Sequence, residues 1–272
     1  MSNEWRVGSR QSASVGAHSR ASSLTSVLVT DVTQQFGAIP ALSDLNLAVR
    51  AGEFVCLVGP SGCGKTSLLR ILAGLARPTS GTVRLAGRVA TVFQGQSLFP
   101  WRTAVDNVAY GLQLEGMPTA RRREIAMEQL RRVGLERFAR AYPHTLSGGM
   151  QQRVNIARAL AIGPDVLLMD EPFGSLDEQT RIQMQEQLVE LWQGSGTTVL
   201  FVTHSVDEAV AMGDRVCVMS ARPGRIILDL PIDLSRPRTR YADREGLAFR
   251  AAATRIWEVL ERGRGEGLRT ED

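Results

Sequence analysis

Hydrophobic residues follow two different patterns in the first part of the folded region. Leu45, Leu47 and Val49 alternate with polar residues, which predicts an antiparallel strand with one buried face. Phe54–Val58 is an unbroken apolar run, as expected of a strand that is covered on both faces. Four later segments are also predicted to be strands: Val166–Met169, Thr197–Val202, Val216–Met219 and Arg225–Leu228.

Helical patterns separate these strands. A helix is predicted to begin near Lys65, and two more are predicted at Glu178–Gln193 and Val206–Met212. Residues 97–160 are mostly helical in pattern and form an inserted subdomain. Strands that alternate with helices predict an α/β fold in which helices cover a parallel sheet. The alternating strand near residues 45–49 adds an antiparallel part.

The two ends of the chain differ from the middle. Residues 1–26 are rich in Ser, Gly and Arg, which predicts a disordered tail, with a transit peptide as the alternative. Residues 27–235 form the predicted folded domain. Residues 236–272 form a C-terminal extension, with an amphipathic helix over 241–261 and a frayed end from Gly263. We interpret this extension as a packing helix, and a regulatory tail is the alternative.

Composition narrows the class of protein. A hydrophobic content of 43% and a charged content of 22% are ordinary for a soluble globular protein. Three separated cysteines without a CxxC spacing indicate neither a zinc site nor a disulfide framework. No apolar run approaches the roughly 20 residues that span a bilayer. The net charge of +4 comes largely from arginines within 121–140, which we interpret as a solvated helix face rather than a nucleic-acid or lipid site.

One of the 32 basic residues is a lysine, and the other 31 are arginines. A coding bias explains the arginines. It does not explain Lys65, which lies in a glycine-rich turn between a predicted strand and a predicted helix. This turn matches the phosphate-binding pattern G-x-x-x-x-G-K-[ST], in which backbone amides and a helix N-terminus hold phosphate oxygens. Its residues are Gly59, Pro60, Ser61, Gly62, Cys63, Gly64, Lys65 and Thr66, and Ser67 follows. Lys65 is predicted to contact the β- and γ-phosphates, and Thr66 to bind Mg²⁺.

Two carboxylates end the apolar strand at 166–169. Asp170 is placed to hold Mg²⁺, and Glu171 to take a proton from an attacking water molecule. Read alone, the pair is equally consistent with a helix cap and a solvated loop residue. Together with the phosphate-binding loop, the catalytic interpretation is favoured.

Two further segments carry candidate chemistry. Leu146-Ser147-Gly148-Gly149 precedes a predicted helix, and a serine with two glycines at a helix start is suited to binding an anion. A helix cap alone explains Ser147 but not the two glycines. His204 follows the strand Thr197–Val202 and is a candidate contact for the γ-phosphate, although a lone histidine at a strand end is more often structural.

These segments together resemble the ATP-binding subunit of an ABC transporter over about residues 27–235. The resemblance rests on an ordered set: loop 59–66, Gln94 after the predicted strand Val89–Phe93, segment 146–151, segment 166–171, Ser175-Leu176-Asp177 and His204. Met150 and Ser175 depart mildly from the common pattern of that family. The resemblance implies a P-loop NTPase core with a mixed sheet, an antiparallel β subdomain and an inserted α-helical subdomain.

The resemblance also implies roles for individual residues. Two copies would pair head to tail around two ATP molecules, and the loop 59–66 of one copy would face the signature residues of the other, which are Ser147, Gly148, Gly149 and Gln151. Phe36 would stack on adenine, although alone it would be interpreted as a core residue. Gln94 would join Thr66 and Asp170 at Mg²⁺ and sense the γ-phosphate. Asp177 would lie at the dimer interface, and the catalytic residues would be Lys65, Gln94, Glu171 and His204.

A narrower resemblance concerns the transported solute. The segments 98–108 and 220–226 resemble the nitrate, sulfonate and taurine importer group, and the short stretch before Gln94 and residues 233–238 resemble its aliphatic-sulfonate type. This implies two membrane permease subunits, with Trp101 near one of them or in the helical core, and a periplasmic or lipid-anchored solute-binding protein. The chain would lie on the cytoplasmic face of the inner membrane. Two other classes, a soluble mechanical ABC ATPase and a P-loop kinase, fit the sequence less well, because the first usually carries two nucleotide domains and the second leaves the 146–151 segment without a role.

Overall fold

The computed structural model describes residues 3–6, 25–95, 98–238 and 241–267. Within these ranges the chain forms ten strands: β1 (Asn3–Arg6), β2 (Thr25–Phe36), β3 (Ile39–Arg50), β4 (Phe54–Val58), β5 (Ser80–Leu85), β6 (Val89–Val92), β7 (Val166–Asp170), β8 (Thr198–Thr203), β9 (Arg215–Met219) and β10 (Ile226–Pro231). The α-helices are α1 (Lys65–Leu72), α2 (Ala104–Val108), α3 (Tyr110–Leu114), α4 (Thr119–Arg132), α5 (Gly148–Ala161), α6 (Glu178–Trp192), α7 (Val206–Met212) and α8 (Leu247–Gly267).

The strands form two sheets. The larger has the order β10-β9-β4-β8-β7-β6, and only the β10–β9 pair is antiparallel. The smaller is antiparallel throughout, in the order β1-β5-β2-β3. Because the carboxyl ends of parallel strands meet at one edge, the loops after β4, β7 and β8 lie close together. This edge carries the candidate site.

The continuous apolar run of β4 has a structural reason. Val55 and Leu57 pack with α1 and the antiparallel sheet, whereas Phe54, Cys56 and Val58 pack with α6, α7 and α8. All five residues are fully buried, so both faces of the strand need apolar side chains. The predicted alternation in β3 is also observed, since Leu45, Leu47 and Val49 are buried between exposed neighbours.

The ends of the chain differ from the sequence prediction. The predicted disordered tail 1–26 is wrong for Asn3–Arg6, which pair with β5, and for Thr25 and Ser26, which begin β2. The rest of that tail lies outside the described residues. The final helix was predicted at 241–261 with a frayed end from Gly263. Instead, Tyr241–Glu245 form a 3₁₀ turn, and α8 runs from Leu247 to Gly267.

The helical subdomain has its own core, to which α2, α4 and α5 contribute Val108, Leu130 and Val154. The arginines of residues 121–140 lie on its surface, as predicted. Arg121 pairs with Glu124 at 2.7 Å, and Arg123 pairs with Asp106 at 3.2 Å. Exposed pairs of this kind contribute little stability, about 0–1 kcal/mol each.

Candidate functional site

An open cleft of about 410 Å³ lies where the loop after β4 meets the antiparallel sheet. The residues that line it are Phe36, Ile39, Ala41, Ser61, Gly62, Gly64, Lys65, Thr66, Ser67, Gln94, Glu171 and Arg222. The two sheets and the carboxyl end of β7 therefore share one cleft. Most of the residues predicted from the phosphate-binding pattern are among its walls.

The phosphate-binding loop, residues 59–66, has a backbone that requires glycine. Gly64 has a φ of 100°, and a Cβ atom there would lie 2.6 Å from Cδ2 of Leu42 and 2.8 Å from the carbonyl oxygen of Ala41. Helix α1 begins at the next residue, Lys65, which places its free amide groups and the positive end of its dipole at the cleft. The loop is thus shaped to bind an anionic group.

Lys65 is the cation of this loop. Its side chain is buried, and Nζ donates to the carbonyl oxygens of Gly59 at 2.7 Å and Pro60 at 3.0 Å. An ammonium on a flexible stem fits this narrow space, whereas a planar guanidinium is wider and holds its donors in a fixed fork. The single lysine of the chain is therefore explained by the geometry of the loop.

Lys65→Arg should abolish ATP hydrolysis although the charge is conserved. The expected loss is at least about 100-fold, because the guanidinium cannot occupy the same space between backbone carbonyls and phosphate oxygens. The measurement is the release of inorganic phosphate by the purified variant. Arg70→Lys is the control. It makes the reverse exchange, which also conserves the charge, at an exposed position on α1, and it should retain activity. Wild-type turnover in Lys65→Arg would contradict the assigned role.

Asp170 and Thr66 form a pair at the end of β7. Asp170 is buried, which raises the pKa of its carboxyl, and a hydrogen bond from the Thr66 hydroxyl opposes that rise. A buried carboxylate beside a hydroxyl offers oxygen ligands that suit Mg²⁺, and Gln94 lines the same cleft as Thr66. Among the described residues, no group of three or more His, Cys, Asp or Glu residues could hold a metal ion.

Glu171 stands at the centre of the polar residues. Its Oε2 atom lies 3.2 Å from Nε2 of Gln94 and 3.3 Å from Nδ1 of His204. Its backbone φ of 42° lies in the left-handed region, which is unusual for a residue with a side chain and occurs often at functional sites. Gln94 and His204, which are also predicted to be catalytic, therefore both contact the carboxylate of Glu171.

His204 is not a buried structural histidine. Its side chain is 62% exposed, against 22% for Glu171, and it reaches the carboxylate from the loop after β8. Phe36 is likewise not a core residue, because 57% of it is exposed and it forms part of the cleft wall. The exposure of both side chains argues against a role in the core.

The signature residues lie outside the cleft. Ser147 is the N-cap of α5, and its hydroxyl accepts a hydrogen bond from the amide of Met150 at 3.3 Å. Ser147 and Gly148 are exposed, and a Cβ atom on Gly149 would lie 2.9 Å from Cγ2 of Thr180. Gln151 donates to the carbonyl of Leu146 at 3.1 Å. None of these four residues belongs to the cleft wall of the described chain.

Asp177 has a local structural role that was not predicted from the sequence. It is the N-cap of α6 and accepts a hydrogen bond from the amide of Thr180 at 3.0 Å, which lowers the pKa of its carboxyl. The residue is also exposed, so the cap leaves one side of it open to a partner.

Comparison with known proteins identifies the family. The sequence model described as "ABC transporter" matches residues 42–174. The taurine import ATP-binding protein TauB of Escherichia coli (strain K12) is 46% identical over 249 residues, which are 86% of this chain and 98% of TauB. The chain belongs to the family of ABC transporter ATP-binding proteins. It is therefore an ABC-type ATPase, as the ordered motifs indicated.

Other members of the ABC family are similar over most of their length. The ABC transporter ATP-binding protein MJ0412 of Methanocaldococcus jannaschii is 51% identical over 231 residues, which are 82% of this chain and 85% of that protein. The nitrate import ATP-binding protein NrtD of Synechocystis sp. is 47% identical over 228 residues, which are 78% of this chain and 86% of NrtD.

A solved ABC cassette confirms the predicted fold class. The dimeric post-hydrolysis structure of the ATP-binding cassette MJ0796, bound to ADP and Pi, superimposes with a TM-score of 0.68 at 35% identity. The match covers 77% of this chain and all of that cassette. The P-loop core, the antiparallel sheet and the inserted helices are thus those of an ABC ATPase.

Three residues of the cleft wall in this ABC ATPase were not predicted to be site residues from the sequence. Ile39, Ala41 and Arg222 line the cleft, and Nη2 of Arg222 lies 3.5 Å from the carbonyl oxygen of Gly62. Arg222 is more than 150 residues from the loop, so only the tertiary fold brings them together. Ile39, which is 51% exposed, follows directly after the β2–β3 turn.

Proposed function

We propose that this chain is the ATP-hydrolysing subunit of an importer for aliphatic sulfonates. The observation that carries the proposal is the meeting of Gln94, Glu171 and His204 at one carboxylate beside the phosphate-binding loop. This arrangement places a phosphate-binding loop, candidate metal ligands and a candidate general base at one cleft. The likeness to a taurine and a nitrate import ATPase supports the importer assignment.

In the proposed reaction, water attacks the γ-phosphoryl group of ATP. The phosphate-binding loop and Lys65 hold the phosphates, and Phe36 stacks on the adenine ring. Glu171 accepts a proton from the water, and Gln94 and His204 orient its carboxylate through the contacts at 3.2 and 3.3 Å. Thr66, Asp170 and Gln94 would hold Mg²⁺, which would neutralise part of the phosphate charge. Positioning and charge stabilisation account for most of the rate in reactions of this class.

A second copy of the chain completes the proposed site. Ser147, Gly148, Gly149 and Gln151 lie away from their own cleft, and Ser147 and Gly148 present free polar groups at the start of α5. In a head-to-tail dimer these groups of one copy would face the ATP held by the other, and Asp177 would lie at the interface. The dimeric form of the related cassette MJ0796 supports this arrangement.

The proposed membrane partners are two permease subunits, which act with a periplasmic or lipid-anchored solute-binding protein. Among the described residues, no helix is both long and apolar enough to span a bilayer. Trp101, which is 72% exposed on the helical subdomain, offers an apolar contact for a permease loop. The chain would then be attached peripherally to the cytoplasmic face of the inner membrane.

The identity of the transported solute is the most specific claim about this importer. Taurine is itself an aliphatic sulfonate, so the likeness to TauB agrees with the sulfonate-type features, which are the short stretch before Gln94 and residues 233–238. The likeness to NrtD keeps nitrate as the alternative solute. In either case other subunits, which bind the solute, determine the specificity.

A deletion strain tests the importer function. We expect the strain to lose growth when an aliphatic sulfonate is the only sulfur source and to grow normally on sulfate. Expression of the wild-type chain should restore growth, and the Glu171→Gln variant should not. Loss of growth on nitrate alone would favour the alternative solute. Normal growth on sulfonates, taurine and nitrate would contradict the importer assignment.

A further inference from the structure

A chain of buried and partly buried hydrogen bonds joins the C-terminal extension to the loop that carries His204. Nη2 of Arg244, in the extension, donates to Oε1 of Gln185 at 2.6 Å. Nε2 of Gln185 then donates to Oε1 of Glu208 at 2.9 Å, and the hydroxyl of Thr203 donates to Oε2 of the same carboxylate at 2.5 Å. The extension thus reaches the residue that directly precedes His204.

Glu208 holds the His204 loop on both sides. Thr203 bonds to its carboxylate, and Ser205 accepts a hydrogen bond from its backbone amide at 3.3 Å as the N-cap of α7. The amide of Ser205 also donates to the hydroxyl of Thr203 at 3.0 Å. The backbone on either side of His204 is therefore fixed to the first turn of α7.

Burial makes this network sensitive to the loss of one member. Gln185 is fully buried, and Thr203 and Glu208 are 1% and 7% exposed, so water cannot readily replace a missing partner. The amide of Gln185 has a donor end and an acceptor end. Because Arg244 can only donate, it keeps the oxygen of the amide towards itself and the nitrogen towards Glu208. The carboxylate of Glu208 accepts from the other end, so both partners favour the same orientation of the Gln185 amide.

The extension also holds the other end of α7. The guanidinium of Arg238 is buried, and its Nε donates to the carbonyl of Val210 at 2.8 Å. It also donates to the carbonyls of Gly213 and Leu234. A cation is favourable at the C-terminus of a helix, where carbonyl groups lack partners. Phe249 and Ile256 of α8 pack in the same core as α7. The helix that follows His204 is thus held at both ends.

We propose that Arg244 is a positioning residue for His204: through Gln185, Glu208 and Thr203 it sets the place of the imidazole relative to Glu171. This inference rests on the proposed role of His204 in hydrolysis. It assigns a function to the C-terminal extension, which lies beyond the residues 42–174 that the family model matches. The extension is then part of the catalytic apparatus and not only a packing helix.

Arg244→Met in the full-length chain is the first test. We expect kcat for ATP hydrolysis to fall about fivefold or more, since small displacements of a reacting group are costly, while KM for ATP changes less than about twofold. Arg244→Lys restores a donor to Gln185 and should recover part of the loss. Arg255→Met, an exposed change on α8, is the matched control and should leave both constants unchanged. An unaltered kcat in Arg244→Met would overturn the proposal.

The same change in a His204→Ala background separates positioning from general stabilisation. If Arg244 acts through His204, Arg244→Met should lower kcat in the wild-type chain but have almost no further effect in His204→Ala. Equal factors in both backgrounds would show a general structural effect and overturn the proposal. Full activity of His204→Ala itself would remove the role of His204 and the inference together, while hydrolysis by Glu171 and Lys65 would remain assigned.

Discussion

Glu171→Gln should lose ATP hydrolysis by at least about 100-fold and still bind ATP. Loss of a general base typically costs 10²–10⁴-fold. Glutamine has nearly the same shape as glutamate but cannot accept the proton of the attacking water. Its amide can keep the contacts with Gln94 and His204, which lie 3.2 and 3.3 Å from the wild-type carboxylate. Phosphate release and ATP binding, measured on the same preparation, separate the two effects.

Glu190→Gln is the matched control for this change. Glu190 is exposed on α6, the helix that follows Glu171 along the chain, and it lies outside the cleft wall. The control should hydrolyse ATP at the wild-type rate. If Glu171→Gln also hydrolysed ATP at the wild-type rate, another group would have to accept the proton of the attacking water. The assignment of Glu171 as the base would then be wrong.

Ser147→Arg should stop hydrolysis while each chain still binds ATP. Ser147 is exposed at the start of α5 and lies outside its own cleft, so a long cationic side chain there does not reach the ATP bound by the same copy. It does fill the surface that a second copy would cover. We expect a loss of at least about 100-fold, comparable to the removal of a main donor to the reacting group.

Loss of the helix cap is a separate and smaller effect of Ser147→Arg. Removing a serine cap typically costs about 1 kcal/mol of stability, so the melting temperature should fall only slightly. Ser195→Arg, at an exposed position just after the C-terminal end of α6, controls for the added charge and size. Unchanged hydrolysis in Ser147→Arg would remove the signature residues from the mechanism.

Local geometry could be predicted from the sequence wherever a single segment determines it. The loop 59–66, the strand end at Asp170 and Glu171, and the cap at Ser147 each depend on a few consecutive residues, and their local geometry follows from residue type. Parallel strands then bring the loops after β4, β7 and β8 to one edge. The meeting of Gln94, Glu171 and His204 follows from this topology.

The sequence was less informative where few residues signal an element. Ser80–Leu85 forms β5, although only Val83 and Leu85 of its side chains are buried, so its pattern is too short to recognise. Asn3–Arg6 pair with β5 despite a composition typical of a disordered tail. Helix α8 continues past Gly263, which lies close to Ile227. A Cβ atom on Gly263 would be 3.1 Å from Cδ1 of Ile227. Tertiary contacts outweigh local propensity at all three places.

Residues that act across distant segments could not be predicted from the sequence. Arg222 reaches the loop at Gly62 from beyond β9, and Arg244 reaches Thr203 through two intervening side chains. No periodic pattern or short motif marks such a pair. Only the fold, which places α6, α7 and the extension against one another, reveals them.

The mass of Glu171→Gln in solution tests the central claim most directly. The claim is that ATP joins two copies of this chain, each providing its signature residues to the other. With Mg²⁺ and ATP, light scattering should give twice the 29.7 kDa of one chain, and with ADP it should give the mass of one chain. Adding Ser147→Arg to the same variant should return the ATP-bound form to one chain. A single-chain mass for Glu171→Gln with ATP bound would contradict the account.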